Sequence, residues 1–304
     1  MSFLEGVFSV LPTPFLDDGS LDIASLRRVV DLFIAAGVNG LTALGVTGEV
    51  ARLNEVERHT VLEAVIDQAA GRVSVVAGAT SDGLRTCIEY TRAAKDSGAA
   101  AVMISPPRMA KLNSDAVVRH FAGVAAAIEI EIVVQDFPPI SGFTMEPALL
   151  VRIAREIPRA RTIKLEDPPT PFKTARIREA AKDIPVHIFG GLGGVFLLEE
   201  LLAGATGAMT GFAYPEILVE IVSAFRSGDV DRAADVFYRT VPLMRFEFQE
   251  GIGMAIRKEV LRRRGALSSG ALRAPGSNLD AVTIGALDRV MDWVHARYPM
   301  KMQA

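Results

Sequence analysis

Short β-branched runs alternate with longer stretches of helical period along most of this chain, and that alternation limits the possible folds more than any other feature. Eight runs qualify as strands: 6–11, 40–44, 73–77, 101–104, 131–135, 162–165, 186–189 and 208–211. Several are apolar on both sides of the pleat, as in Val-Ser-Val-Val-Ala at 73–77, which is the pattern of parallel strands covered on both faces. Between them, Leu26, Val29, Val30, Phe33 and Ile34 within 24–36, and Val61, Leu62, Val65 and Ile66 within 55–70, fall at three- and four-residue spacing. Asn54 and Ser81-Asp82 stand where helices start, and Gly37 and Gly98 where they stop. Ser114, Met145-Glu146, Thr170-Pro171 and Gly194 open four further helical runs. Eight such units predict an α/β fold, a (β/α)8 TIM barrel over residues 1–226, with a doubly wound open sheet as the competitor. Residues 227–304 lack strand signals and form a helical appendix packed on the barrel, with helices expected at 229–241, 243–265 and 279–298 and a connecting loop at 265–277.

The composition agrees with a folded catalyst or binder of small molecules. Half of the 304 residues are apolar, the formal net charge is −3, and Cys87 is the only cysteine. No run approaches the 18 apolar residues of a membrane span, and Met1 to Pro12 lacks a basic start and a long apolar stretch. A cytoplasmic protein with no membrane partner is expected. The basic cluster Arg262-Arg263-Arg264 closes a helical segment, where cations complement the helix dipole, so no nucleic-acid partner is expected.

In such a barrel the reacting groups come from the C-terminal ends of the strands and the loops after them. Of seven lysines, Lys95, Lys173, Lys182 and Lys258 lie in charged helical stretches, Lys111 in a loop and Lys301 in the tail. Lys164 alone sits in a strand, where an ammonium is costly to desolvate and a neutral amine can attack a carbonyl. Glu166, two residues on, shares its face and is either an ion-pair partner or a general acid/base. The turn Gly45-Val46-Thr47-Gly48-Glu49-Val50 can cradle a carboxylate or phosphate with backbone N–H groups. Gly190-Gly191-Leu192-Gly193-Gly194 is either a second anion seat or a tight turn. The four histidines, His59, His120, His187 and His295, are far apart and form no metal-ligand pattern, so no metal site is expected; His187 either faces the barrel or packs.

Taken together, Gly45-Val46-Thr47-Gly48-Glu49 followed by Leu53-Asn54-Glu55, Ile163-Lys164 on strand six, and the early Pro12-Thr13-Pro14-Phe15 resemble the dihydrodipicolinate synthase/N-acetylneuraminate lyase family. The resemblance implies a class I lyase, commonly a homotetramer and here expected as a homotetramer or homodimer, that needs no cofactor and forms a lysine imine with pyruvate or another 2-oxo acid. It implies that Lys164 is that lysine, that Thr47 helps hold the acid's carboxylate and relays protons, and that the backbone N–H groups of Val46 and Thr47, with Gly48 beside them, supply the rest of the seat. Gly190 and Met209, on strands seven and eight, complete the expected contacts.

The chain also departs from the family pattern. Val46 replaces the first threonine of G-T-T-G-E, Gln135 stands for the proton-transferring tyrosine, Ile140 for the arginine that reads the second substrate, and Arg108 falls near the neighbour-subunit tyrosine. Glutamine cannot exchange a proton near neutral pH, so Glu166 is the expected replacement. The Lys-x-Glu arrangement resembles branches that dehydrate 2-keto-3-deoxy sugar acids, with Arg108 or Asp136 reading a distal group and Tyr214 as a possible phenol. Three functions follow: an aldol-type lyase, a dehydratase using the same imine, and a noncatalytic small-acid binder.

Overall fold

A computed structural model describes residues 4–298; Lys301 lies outside them. Eight parallel strands close into a barrel in chain order: β1 Gly6–Val10, β2 Gly40–Ala43, β3 Ser74–Gly78, β4 Ala101–Ile104, β5 Glu131–Asp136, β6 Thr162–Leu165, β7 His187–Gly190 and β8 Gly207–Thr210. β8 returns to β1 with Phe8 opposite Met209, which excludes the open sheet. Each expected strand is present to within one residue at either end.

The helices are α1 Ile23–Ala35, α2 Glu55–Ala69, α3 Leu84–Ser97, α4 Ser114–Ala127, the short α5 Pro138–Ser141, α6 Pro147–Glu156, α7 Thr170–Ala180, α8 Leu197–Leu202, α9 Pro215–Arg226, α10 Val230–Glu247, α11 Gly253–Arg263 and α12 Ala281–Arg297. Local chemistry starts them where the sequence suggests. Asp22 accepts from the Ser25 N–H at 2.9 Å. Asn54 and Glu57 form a reciprocal capping box, each side chain accepting from the other's backbone N–H at 2.9 and 3.0 Å.

The expected helix 243–265 is corrected: α10 runs straight through Pro242, and the chain breaks between Glu247 and Gly253 instead. The hydrogen bond that Pro242 forfeits belongs to the carbonyl of Tyr238, an exposed residue.

Two apolar layers hold the barrel. Outward-facing strand residues such as Leu41, Val75, Ile132 and Ile163 join the inner faces of the helices, including Leu26, Val29 and Phe33 of α1. Inward-facing Phe8, Val10, Val76, Met103, Val133, Phe189 and Met209 fill the barrel itself, with the Phe8 and Phe189 rings 5.5 Å apart edge to face. This apolar plug is a floor. One inward step toward the C-terminal ends, β4, β5 and β6 present the polar Ser105, Gln135 and Lys164. Among the described residues no helix is long and apolar enough to cross a membrane.

Candidate active site

β5 and β6 pair with Gln135 opposite Lys164, and β7 places Phe189 on the other side of the lysine. Strand alternation sends Gln135, Lys164 and Glu166 inward, toward the C-terminal ends of the strands. Lys164 is only 4% exposed and Glu166 7%. Their charged atoms, Nζ and Oε2, are 3.1 Å apart. Gln135 Nε2 donates to the same Oε2 at 2.7 Å, while its Oε1 accepts from Ser105 Oγ at 3.0 Å. Ser105 is held in turn by its N–H, which donates to Thr80 Oγ1 at 3.0 Å. Because a carboxylate only accepts, this chain fixes the orientation of the glutamine amide. Burial pushes the Glu166 carboxyl above its usual range, against the opposing pull of Lys164 and Gln135.

β7 ends between two carboxyl groups. A Cβ on Gly191 would stand 2.3 Å from Glu166 Cγ, and one on Gly190 would stand 1.7 Å from Glu200 Oε2, so only glycine fits at either place. Gly190 therefore faces α8, and its partner Glu200 accepts from Thr170 Oγ1 at 2.5 Å with its carboxyl pushed up to about 7 by burial. Two acids flanking the glycine-rich stretch disfavour a phosphate there. Met209 packs in the apolar floor.

The turn after β2 is a tight one over Val46–Gly48. Thr13 Oγ1 donates to the Gly48 carbonyl at 2.6 Å, and Glu49 follows in the left-handed region at φ 56. Glu49 is buried and ion-paired with Lys258 and Arg52, and it accepts from the Arg273 N–H at 3.1 Å. Lys258 also donates to the Ala271 carbonyl at 2.9 Å and lies 4.4 Å from the Phe15 ring centre. Lys258 lies in a charged helical stretch, as expected, but within α11 it is buried. The helical appendix is what ties down this turn.

A cavity of about 200 Å³ is bordered by Val46, Arg58, Thr80, Ser105, Gln135 and Ile140, so it reaches the Gln135–Ser105 end of the chain of hydrogen bonds to Glu166. Residues 3–291 match the model of the dihydrodipicolinate synthetase family. The chain belongs to that family. L-2-keto-3-deoxyarabonate dehydratase of Azospirillum brasilense is 33% identical over 95% of this chain and 97% of the relative. 4-Hydroxy-tetrahydrodipicolinate synthase of Methanothrix thermoacetophila is 36% identical over 89% and 90%. The crystal structure of dihydrodipicolinate synthase from Rhodopseudomonas palustris superposes with a TM-score of 0.90 at 34% identity, covering 95% and 97% of the two chains. The protein is accordingly an enzyme of the class I aldolase type, to which this family's lyases and dehydratases belong.

Within this family member, the other expected contacts are dispersed. Asp136 points outward from β5, where Lys173 Nζ meets its Oδ2 at 2.6 Å and also Asp167 Oδ2 at 2.7 Å, so it does not face the barrel mouth. Burial pushes the Asp136 carboxyl up to about 6 even with Lys173 beside it. Lys173 lies in the expected helical stretch, now α7, and is buried there as a counter-ion. Arg108 is exposed after β4, with its N–H donating to Asp82 at 2.7 Å. Tyr214 lies under Arg264, whose guanidinium carbon is 4.4 Å from the ring centre, and beside His295; burial pushes its phenol up to about 12, which removes it from proton transfer near neutrality. His187 opens β7, at the opposite end of the strand from the mouth. Arg262 and Arg263 both pair with Glu259, and Arg264 with Glu216. Among the described residues no three His, Cys, Asp or Glu side chains group as metal ligands.

Sequence reasoning missed Ser105 and Arg58. Ser105 was findable, because it continues the inward alternation of Ala101 and Met103 by one step. Arg58 reaches the cavity from α2, donating to the Gly78 carbonyl at 3.2 Å with its guanidinium 4.3 Å from the centre of the Tyr90 ring; no local spacing announces that.

Proposed function

We propose that the enzyme dehydrates a 2-keto-3-deoxy sugar acid through an imine on Lys164, with Glu166 moving the protons. The observation that carries this reading is the buried Glu166 carboxyl 3.1 Å from the amine, with its pKa raised toward the range of a useful general acid. The amine attacks C2, and the carbonyl oxygen leaves as water. A C3 proton passes to the Glu166 carboxylate as the electrons flow into the iminium, giving an enamine. The enamine expels the C4 hydroxyl, which takes that proton and departs as a second water. One water then hydrolyses the conjugated imine, so the net change is loss of one water and the lysine is restored. The name of the Azospirillum brasilense relative supports this choice of reaction.

Aldol-type cleavage or formation of a C–C bond on pyruvate is the second reading. It is supported by the relatives named 4-hydroxy-tetrahydrodipicolinate synthase and by an Escherichia coli K12 protein, 25% identical with a TM-score of 0.89 over 96% of this chain and 99% of that one, whose structure is in complex with pyruvate. Gln135 and Ile140 argue against the condensation of pyruvate with aspartate semialdehyde itself.

Borohydride reduction with pyruvate or a 2-keto-3-deoxy pentonate is expected to add one covalent adduct to Lys164, absent in Lys164→Ala. No adduct with any 2-oxo acid tested would overturn the imine. Incubation with 2-keto-3-deoxy acids is expected to give water loss, whereas dominant pyruvate release would select the second reading. The proposal includes a cytoplasmic homotetramer or homodimer, which sedimentation of the purified enzyme tests by mass.

A further inference from the structure

Arg257 belongs to α11, outside the barrel, yet its guanidinium ends at the barrel mouth. A Cβ at Gly211, the first residue after β8, would stand 2.5 Å from Arg257 Nη1 and 3.0 Å from Thr47 Oγ1. Both atoms therefore crowd one point, and a side chain there would separate them.

Arg257 is 5% exposed, and its Nε is 3.5 Å from Glu247 Oε2, which also accepts from the Ala213 N–H at 3.1 Å. Arg257 Nη1 and Thr47 Oγ1 are both buried and make no hydrogen bond among the described residues. Both lie within 3.0 Å of the Cβ position at Gly211; leaving a buried donor and a buried acceptor unmet is costly, and they can satisfy each other in only one sense. A guanidinium carries donors alone, so in any hydrogen bond between the two Nη1–H gives and Oγ1 accepts. The single hydroxyl proton of Thr47 then has to point elsewhere.

We propose that Arg257 is a positioning residue that holds Thr47 Oγ1 as an acceptor and so aims the Thr47 hydroxyl proton at the carboxylate of the bound 2-oxo acid. This rests on the imine reading above and adds to it the means by which the enzyme selects acids over simple ketones. The donor reaches the barrel from the helical appendix, which makes that appendix part of substrate selection.

The test is the pyruvate concentration that half-saturates borohydride trapping at Lys164. Arg257→Lys keeps a cation beside Glu247 while its shorter head withdraws the Nη1 donor. It is expected to raise half-saturation about tenfold at undiminished maximal adduct, the loss appropriate to a hydrogen bond onto a charged group. In a Thr47→Val background the same replacement is expected to change it by less than about twofold, because the pair is already broken. Gly211→Ala, which drives a methyl between the two atoms, is expected to show the same dependence on Thr47. Unchanged half-saturation in Arg257→Lys and in Gly211→Ala, or equal effects in both backgrounds, overturns the proposal, as does a lowered melting temperature with normal half-saturation. Failure of the parent enzyme to form any adduct would instead sink the imine reading and this inference with it.

Discussion

Glu166 Oε2 is shared: it lies 3.1 Å from Lys164 Nζ and 2.7 Å from Gln135 Nε2, so a single carboxylate oxygen joins the amine of β6 to the amide of β5. In the proposed reaction that oxygen carries the proton leaving or reaching the adduct on the lysine. Glu166→Gln keeps the shape and can still accept from Gln135, but it cannot exchange a proton. Turnover of a 2-keto-3-deoxy acid is expected to fall by about 10²–10⁴-fold, with half-saturation moving less than about threefold. Steady-state kinetics check this, and a fully active variant removes the acid/base role.

Gln135 orients that oxygen without titrating. Gln135→Leu strips a donor from Glu166 and an acceptor from Ser105 Oγ, both buried. A cost of about 1–3 kcal/mol in stability is expected, with a kcat loss near tenfold as the carboxyl loses its fixed direction. Urea unfolding and kcat are the two readouts. A neutral effect on both would mean that the amide chain orders nothing.

Outside the barrel, Lys173 pairs with Asp136 and Asp167 at once. Lys173→Met leaves Asp136 buried without its cation, for an expected loss of about 3–5 kcal/mol. Replacing Asp136 by Leu in the same chain is expected to recover most of it, since an apolar pair no longer asks for a counter-ion. Melting temperatures of the single and double variants decide the matter; equal losses in the two would place the cost elsewhere.

Glu200 makes the enzyme's stability depend on pH. At low pH the carboxyl is neutral in both folded and unfolded chains, and its burial carries no charge penalty. As the pH rises from the ordinary 4.5 to about 7, the unfolded chain gives up its proton while the folded one keeps it, so stability falls; above 7 the penalty is constant. The difference corresponds to something on the order of 3 kcal/mol. Glu200→Gln is therefore expected to gain on the parent between pH 5 and pH 8, and parallel melting curves across that range would contradict this account.

The barrel was legible because short β-branched apolar runs and helix caps are local signals, and each of the eight strands carries its own. Lys164, Gln135 and Glu166 were legible for the same reason, since alternation along β5 and β6 decides which side chains face inward. Asp136 was misplaced by one step of that alternation: it follows Gln135 directly and so points to the opposite face, where Lys173 waits. The buried lysines 173 and 258 and the guanidinium of Arg257 were not legible, because what buries them comes from elements far away in the chain. Glu49 and Lys258 look like ordinary surface charges until the fold brings them together.

The pairing of Glu49 with the Arg273 backbone joins positions 224 residues apart. Translation proceeds from the N-terminus, so the loop bearing Thr47 is made early but cannot acquire this anchor until almost the entire polypeptide has left the ribosome. A truncated product ending after β8 would contain every strand of the barrel and still lack the bolts that keep this loop in place.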